Sequence, residues 1–316
     1  MAGPPKVDAP LLRDDLPCLL CSGTHSTVMH RKDPFRIVRC DGCSLVYTLP
    51  RLPPAVISQM YQVDYWKSEQ AKDFGYTDYL KDADLYLRTF RLRSGRLRRF
   101  MPPPARMLDV GCAAGFALQA FAQKGYEVYG VELSEGMAAE AGRRIGRPER
   151  VKSGVLARDL FGELRFDLVT FFDVIEHIED PRALLKAARD LLSERGVIVV
   201  ETQNVASLFA RLLGVHWQHF KFEEHLYHFD PRTIRVLLDQ AGFELVDLTA
   251  RYGGKYVSFD FLVERVGRVH PILSFLTSPL KLLGRTAFYV NVFDEMLVTA
   301  RARKDRSNGA PASSHG

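Results

Sequence analysis

Met107-Leu108-Asp109-Val110-Gly111-Cys112-Ala113-Ala114-Gly115-Phe116 decides the fold of this chain. Met107, Leu108 and Val110 mark a short apolar strand running into a turn of small residues, which opens a helix predicted from Phe116 to about Lys124. Glycine at 111 and 115 lets a ligand approach the backbone where a side chain would block it. A second strand is predicted over Glu127–Val131, and it ends in Glu132, where a ribose diol would be gripped. A Gly-rich turn alone is a weak signal; strand, turn, helix, strand and acid in that order is a strong one. The register does not offer the Gly-x-Gly-x-x-Gly of a dinucleotide site. Asp109 would repel a pyrophosphate at the helix N-terminus and suits a ligand carrying an ammonium group. Residues 107–132 therefore read as a nucleoside-cofactor site.

Leu108-Asp-Val-Gly-Cys-x-x-Gly115 resembles the first motif of class I S-adenosylmethionine (SAM)-dependent methyltransferases. The resemblance implies an α/β fold: a Rossmann-like, seven-stranded methyltransferase sheet, here with a small N-terminal zinc ribbon and an α-helical lid. It implies SAM as cofactor, held by Asp109, Gly111, Cys112, Gly115, Glu132 and Leu133, with Asp173 arriving from a later strand. Two departures are visible. Ala113 stands where the family usually has glycine, and Val155 stands where it often has an acid for the adenine amino group.

With 316 residues, 47% hydrophobic and 26% charged, the chain has room for one α/β domain and a small accessory module. A net charge of +5, concentrated at 88–99 and 301–306, is too weak a bias to signal nucleic acid. Pro4, Pro5, Asp8, Pro10, Asp14 and Asp15 interrupt any leading apolar run, no segment is long enough to span a bilayer, and a cytoplasmic location is expected. The expected organisation is a disordered leader (1–16), a zinc ribbon (17–50) and a linker with helical lid (51–100). The methyltransferase domain (101–303), with insertions at about 205–222 and 255–290, and a disordered tail (304–316) complete it.

The ribbon rests on Cys18-x-x-Cys21 and Cys40-x-x-Cys43, two knuckles separated by eighteen residues. Each would present two thiolates to a structural Zn2+, and short strands at Thr27–His30 and Phe35–Arg39 would pair as a hairpin between them. So short a segment cannot bury an adequate core, which favours a metal staple over the alternative of two disulfides. Cys43-Ser-Leu-Val-Tyr-Thr-Leu-Pro50, Tyr61 and Tyr65-Trp66 resemble a group of bacterial methyltransferases that carry such a ribbon and modify sugars or related metabolites. Sugar C-methyltransferases share the layout.

After Pro50, Pro53 and Pro54 the chain turns aromatic, and Gly75-Tyr76-x-x-Tyr79 resembles the lid of that group, so Tyr76 and Tyr79 are substrate-contact candidates. The helix predicted over about 82–100 carries Arg88, Arg91, Arg93, Arg96, Arg98 and Arg99, read as a solvated face or a diphosphate- or membrane-binding one. Another helix is predicted at Ser134–Arg144, with Ser134 as its N-cap.

Phe166–Asp173 is near-continuously apolar, as a buried parallel strand should be. It leads into Asp173-Val-Ile-Glu176-His177-Ile-Glu-Asp180-Pro181, which resembles the Asp/Glu-x-x-Glu-His-x-x-Asp-Pro signature of one methyltransferase branch, in which some quinone-pathway relatives bind a divalent ion. Here a hydrogen-bonded scaffold is the preferred reading. Phe222-Glu-Glu224-His225-Leu-Tyr-His228-Phe-Asp-Pro-Arg-Thr233 resembles a further segment of that branch. Methyl transfer to a hydroxyl or acidic C–H needs a proton acceptor, and a histidine held by a carboxylate suits the task. His225 with Glu224 is the first candidate and His177 the second; Trp217, in the apolar stretch before them, is a substrate candidate.

Strands are predicted at 196–202 and 244–249, with an antiparallel last strand at 294–301. The apolar insertion between the last two, at about 255–290, reads as extra core, a homodimer contact or a peripheral membrane contact. The function expected is SAM-dependent methyl transfer to a hydroxyl of a sugar, glycan or related small metabolite, free or nucleotide- or lipid-linked. The alternatives are C-methylation of a nucleotide-linked keto-sugar and RNA methylation with the ribbon gripping RNA.

Overall fold

The computed structural model describes residues 12–53, 56, 82–263, 277–284 and 286–303. Tyr76 and Tyr79, the aromatic run around them, residues 264–276 and 285 of the 255–290 insertion, and the tail lie outside the described residues.

The chain begins with a three-stranded antiparallel meander, β1 (Ser26–Lys32), β2 (Phe35–Cys40) and β3 (Val46–Leu49). Helix α1 (Ala83–Leu97) follows, then β4 (Arg106–Val110), α2 (Phe116–Ala122), β5 (Glu127–Glu132), α3 (Glu135–Ile145) and β6 (Val151–Ser153). The second half runs β7 (Phe166–Phe172), α4 (Pro181–Leu191), β8 (Leu192–Gln203), α5 (Leu208–Leu213), β9 (Tyr227–His228), α6 (Thr233–Gln240) and β10 (Phe243–Thr249). A hairpin of β11 (Lys255–Ser258) and β12 (Ala287–Val290) precedes the last strand, β13 (Glu295–Ala302).

Seven strands form the central sheet in the order β10-β13-β8-β7-β4-β5-β6. β4, β5, β6, β7 and β8 are parallel, and β13 slots antiparallel between β8 and β10. The parallel strands read as near-continuous apolar runs because both faces are covered: Leu108, Val169, Phe171, Ile198 and Val200 pack into one core, and Met107, Leu168, Val197 and Val199 into another. Strand order reverses at β4 and β7, and ligands of such sheets bind beyond the carboxyl ends of the strands at that switch point.

Local signals set the boundaries. Ser134 caps α3 by accepting from the Met137 N–H, and Gly146 ends it in the left-handed conformation. Asp180 caps α4 through the Ala183 N–H, with Pro181 at its first position.

The ribbon is fused to the domain. β3 pairs not only with β2 but with β9, so the four-stranded ribbon sheet takes its fourth strand from the segment that carries His225 and His228. Leu20, Leu45, Tyr47 and Leu49 share one apolar core with Leu226, Phe229, Ile234 and Leu237. No helix among the described residues is long and apolar enough to cross a membrane.

Candidate active site

The turn after β4 is shaped by three left-handed residues, Gly111 (φ 74°), Ala113 (φ 46°) and Gly115 (φ 80°). A Cβ on Gly111 would stand 2.7 Å from Val174 Cγ2, and one on Gly115 would stand 2.8 Å from the Ala141 Cα. Both glycines are therefore required by close approach as well as by φ. Glu132, at the end of β5, locks the turn: its carboxylate accepts from the Ala113 N–H at 2.8 Å and the Ser134 N–H at 3.0 Å. Burial raises its pKa, and those backbone donors pull it back. Leu133 follows Glu132, half-buried.

Asp109 is 2% exposed and accepts from the Thr170 hydroxyl at 2.6 Å. Burial pushes its carboxyl up to about 7, with Thr170 working against the shift. Cys112 contributes backbone to the turn, while its thiol turns inward against Gly130, where a Cβ would come within 2.7 Å of the sulfur. Burial raises that thiol well above its ordinary range, so it is inert. Asp173 is exposed just past β7, its φ of 54° held by its N–H donating to the Glu201 carbonyl at 3.1 Å. The acids Glu132 and Asp173, one at each side of the switch point, suit the ribose diol and the ammonium of SAM. Val155, just past β6, is 74% exposed.

Helix α1 roofs the turn. Tyr86 stacks on Phe116 at 5.6 Å and Phe90 meets Phe172 edge-on at 5.1 Å. Beneath them lies a cavity of about 100 Å3, whose lining includes Tyr86, Phe90, Phe172, Asp173, Glu201 and Lys255. Most of the arginines between 88 and 99 are engaged within the chain: Arg88 with Asp84, Arg91 with Gln123, Arg96 over Tyr252 and Arg99 with Asp247. Arg93 faces inward, where its guanidinium forms a buried two-pronged pair with Glu201. The diphosphate-binding alternative for this helix loses those cations, and the solvated-face reading misses Arg93.

On the other side of Asp173, Glu176, His177 and His225 converge, with one ligand-competent atom from each lying within 4.8 Å of the others. The rings of His177 and His225 meet edge to face at 4.6 Å. His225 is 4% exposed, and its Nδ1–H donates to the His219 carbonyl at 2.8 Å, leaving Nε2 as the lone-pair nitrogen. The ring of His177, half-buried, hydrogen-bonds the Glu224 backbone. The Glu224 carboxylate, assigned from the sequence to holding His225, pairs with Lys221 at 3.1 Å. Burial pushes His177 down to about 4 and His225 well below 6.5, so both are neutral near pH 7. Burial, then Asp173, raises Glu176 well above the usual carboxylate range, and its Oε2 accepts from the Thr202 hydroxyl at 3.1 Å. The group that could hold a divalent ion here contains His225, not Asp173.

Trp217 is not brought to the cleft. It is 1% exposed, packed in a core with Phe35, Ile37 and Phe220, and its indole N–H donates to Asp294 at 2.9 Å. Sequence reasoning missed Glu201, Lys255 and the inward turn of Arg93, for which no local motif exists; each reaches the cavity through long-range packing.

The four knuckle sulfurs of Cys18, Cys21, Cys40 and Cys43 lie within 4.8 Å of one another, with Cys18–Cys43 and Cys21–Cys40 at 3.4 Å. None is in a disulfide. Sulfurs bound tetrahedrally at ~2.3 Å from one ion would be separated by roughly 3.8 Å, so the cluster fits a tetrathiolate zinc site.

Comparison with known proteins agrees with this geometry. A family model described as a methyltransferase domain matches residues 80–248. The chain is 29% identical over 171 residues to the ubiquinone biosynthesis O-methyltransferase of Xanthomonas axonopodis pv. citri (strain 306), covering 48% of this chain and 67% of that protein. It spans 61–67% of the length of several curated relatives of that description. Among solved structures, it resembles the Burkholderia thailandensis 1,6-didemethyltoxoflavin-N1-methyltransferase with bound S-adenosylhomocysteine. That likeness has a TM-score of 0.50 and 18% identity over 89% of this chain and 100% of that one. The magnesium protoporphyrin IX methyltransferase of Synechocystis PCC 6803, also with S-adenosylhomocysteine, gives a TM-score of 0.50 and 17% identity over 80% and 100%. The likeness to both lies in the fold. Turn, sheet order and domain match converge: the chain belongs to the methyltransferase-domain family, as a class I S-adenosylmethionine-dependent member.

Proposed function

We propose that this protein moves a methyl group from SAM to a hydroxyl oxygen of a small metabolite, with a sugar or glycan hydroxyl as the first class to test. The observation that carries the reading is the neutral His177–His225 pair beside Asp173, at the carboxyl end of β7. SAM, when bound, would supply an electrophilic methyl; transfer would form the C–O bond as the S–CH3 bond breaks, its electron pair leaving with the sulfur of the departing S-adenosylhomocysteine. Glu132 and Asp173 orient the donor, and the α1 aromatics cover it and exclude water. The hydroxyl proton passes to the imidazole pair, in which His177 is the more accessible ring and His225 the buried one behind it. Relatives named as O-methyltransferases support oxygen as the acceptor atom, and their printed names add a quinol-type ring hydroxyl to the acceptors worth assaying. Aromatic walls around the cavity suit the face of a ring of either kind. In the ribbon, Cys18, Cys21, Cys40 and Cys43 would hold one structural Zn2+.

The test is transfer of labelled methyl from SAM to catechol and to UDP-glucose, with wild type, His177→Gln and His225→Gln. Label in an oxygen-linked methyl, lost in both variants while SAM still binds, is expected. Label on carbon, or undiminished turnover in both variants, would overturn the reading.

A further inference from the structure

We infer that Thr48, on the last strand of the cysteine ribbon, is a positioning residue for His225, so that the ribbon forms one wall of the catalytic apparatus. The inference rests on the reading of His225 as part of the proton-accepting pair.

The segment around His225 has almost no regular structure of its own. It contributes only the two residues of β9, Tyr227 and His228, to a sheet, and both pair with the ribbon strand β3, as Tyr47 with Tyr227 and Val46 with His228. One residue beyond that pairing sits Thr48, 1% exposed. Its hydroxyl donates to the His225 carbonyl at 2.7 Å, and its N–H donates to the Leu226 carbonyl at 3.0 Å. On the opposite side, the N–H groups of Leu226 and Tyr227 both donate to the Glu176 carbonyl, at 2.8 and 3.3 Å. The backbone from His225 to Tyr227 is thus clamped between Glu176, in the turn after β7, and Thr48 of the ribbon. The His219 carbonyl then fixes the ring orientation through Nδ1.

Arg51 reinforces the clamp. Its guanidinium donates to the Thr48 carbonyl at 3.3 Å and to the Tyr227 hydroxyl at 2.9 Å, and that hydroxyl donates to the Glu179 carbonyl at 2.8 Å. These contacts join positions 177 residues apart in sequence at a single carbonyl. Threonine suits the position: β-branching stiffens χ1 in a strand and holds the hydroxyl on target. Valine has the same shape without the donor, so Thr48→Val would leave the buried His225 carbonyl short of a partner and free the loop to shift. A displacement of about an ångström at a reacting group costs on the order of a hundredfold in rate.

The experiment uses the full chain with Thr48→Val, Thr48→Ser and the reference variant His225→Gln. Three quantities are read: methyl transfer from SAM to catechol, SAM affinity by calorimetry, and the His225 Nδ1–H signal by 15N NMR. Thr48→Val should lower kcat between roughly tenfold and a hundredfold, leave the SAM Kd within about twofold, and broaden the Nδ1–H signal by exchange. Thr48→Ser, which keeps the donor, should restore both the rate and the signal. Should Thr48→Val fail to fold, Thr48→Ala takes its place. Wild-type kcat and an unchanged Nδ1–H signal in Thr48→Val, or a loss that serine does not rescue, would overturn the inference. If His225→Gln is inactive while Thr48→Val behaves as wild type, only the role of Thr48 falls. Full turnover in His225→Gln removes the role of His225 and this inference with it.

Discussion

Arg93 on α1 and Glu201 at the end of β8 form a two-pronged ion pair at 3% and 1% exposure, which ties the roof of the cleft to its floor. Burial pushes the Glu201 carboxyl up to about 7 even though Arg93 works to lower it. Removing one partner strands a charge, so Arg93→Ala should cost roughly 3–5 kcal/mol of unfolding free energy. Replacing both by apolar residues of similar size, as Arg93→Met with Glu201→Leu, should cost much less. Urea unfolding of the three proteins checks this; equal losses in the single and double variants would show that the pair acts through something other than charge burial.

Gly111 and Val174 set the cofactor turn against the segment after β7. A methyl on Gly111 would meet Val174 Cγ2 at 2.7 Å, and the φ of 74° adds strain for any L side chain. Gly111→Ala should therefore weaken SAM binding by about tenfold, equivalent to ~1.4 kcal/mol. Adding Val174→Ala should recover part of that loss, because it removes the clash and leaves the backbone strain. Calorimetric titration with SAM measures both, and an unshifted Kd in Gly111→Ala would sink the argument.

The ribbon cysteines make a metal prediction. Purified protein should carry one zinc per chain, and Cys43→Ser should lose it. Because β3 is shared with β9, stripping the ion should also loosen the methyltransferase domain. A fall in thermal midpoint of at least ~5 °C is expected, on a scale where 1 kcal/mol moves a chain of this size by about 2–4 °C. Metal analysis with a melting curve before and after chelation decides it. Metal-free protein with an unchanged midpoint would remove zinc from the fold.

The order of strands was legible because buried parallel strands announce themselves as apolar runs. Phe166–Phe172 and the Gly-flanked turn at 111–115 carry the fold in contiguous residues. So did the caps: Ser134 accepts the Met137 N–H where a cap was expected. What stayed hidden depends on contacts distant in sequence. β9 is two residues long, and its pairing with β3 leaves no periodic signal. Arg93 looks like the other three arginines of α1 until packing turns it inward. Glu224 beside His225 suggested a carboxylate–imidazole pair, whereas the chain gives Glu224 to Lys221 and holds His225 by the His219 carbonyl. Trp217 read as a substrate contact in an apolar stretch, and only Asp294, 77 residues on, explains where its indole N–H goes.

The buried histidines predict how the protein responds to acid. His228 is fully buried, its Nδ1 has no partner among the described residues, and burial pushes it down to about 3. In the unfolded chain the same group titrates near ~6.5. Between those values the unfolded state binds a proton that the folded state refuses, so stability is whole above ~6.5 and falls as pH drops toward 3. His177, at about 4, acts with the same sign. Asp109, raised to about 7 by burial, acts oppositely: it is protonated when folded and ionised when unfolded, so its contribution is lost as pH rises from about 4 through 7. The two trends overlap, and a wild-type profile alone cannot apportion them. The difference between wild type and His228→Gln can, since the variant keeps every carboxylate. That difference should shift in favour of the variant by on the order of a few kcal/mol between pH 6.5 and 4. Urea unfolding at half-unit pH steps measures it; a difference independent of pH would mean that His228 is charged in the folded protein. Turnover has its own signature under the same conditions. With His177 pushed down to about 4 and His225 held well below 6.5, the acid limb of the methyl-transfer rate should lie well below pH 6.5, and a limb at 6.5 would assign the proton to a group outside the pair.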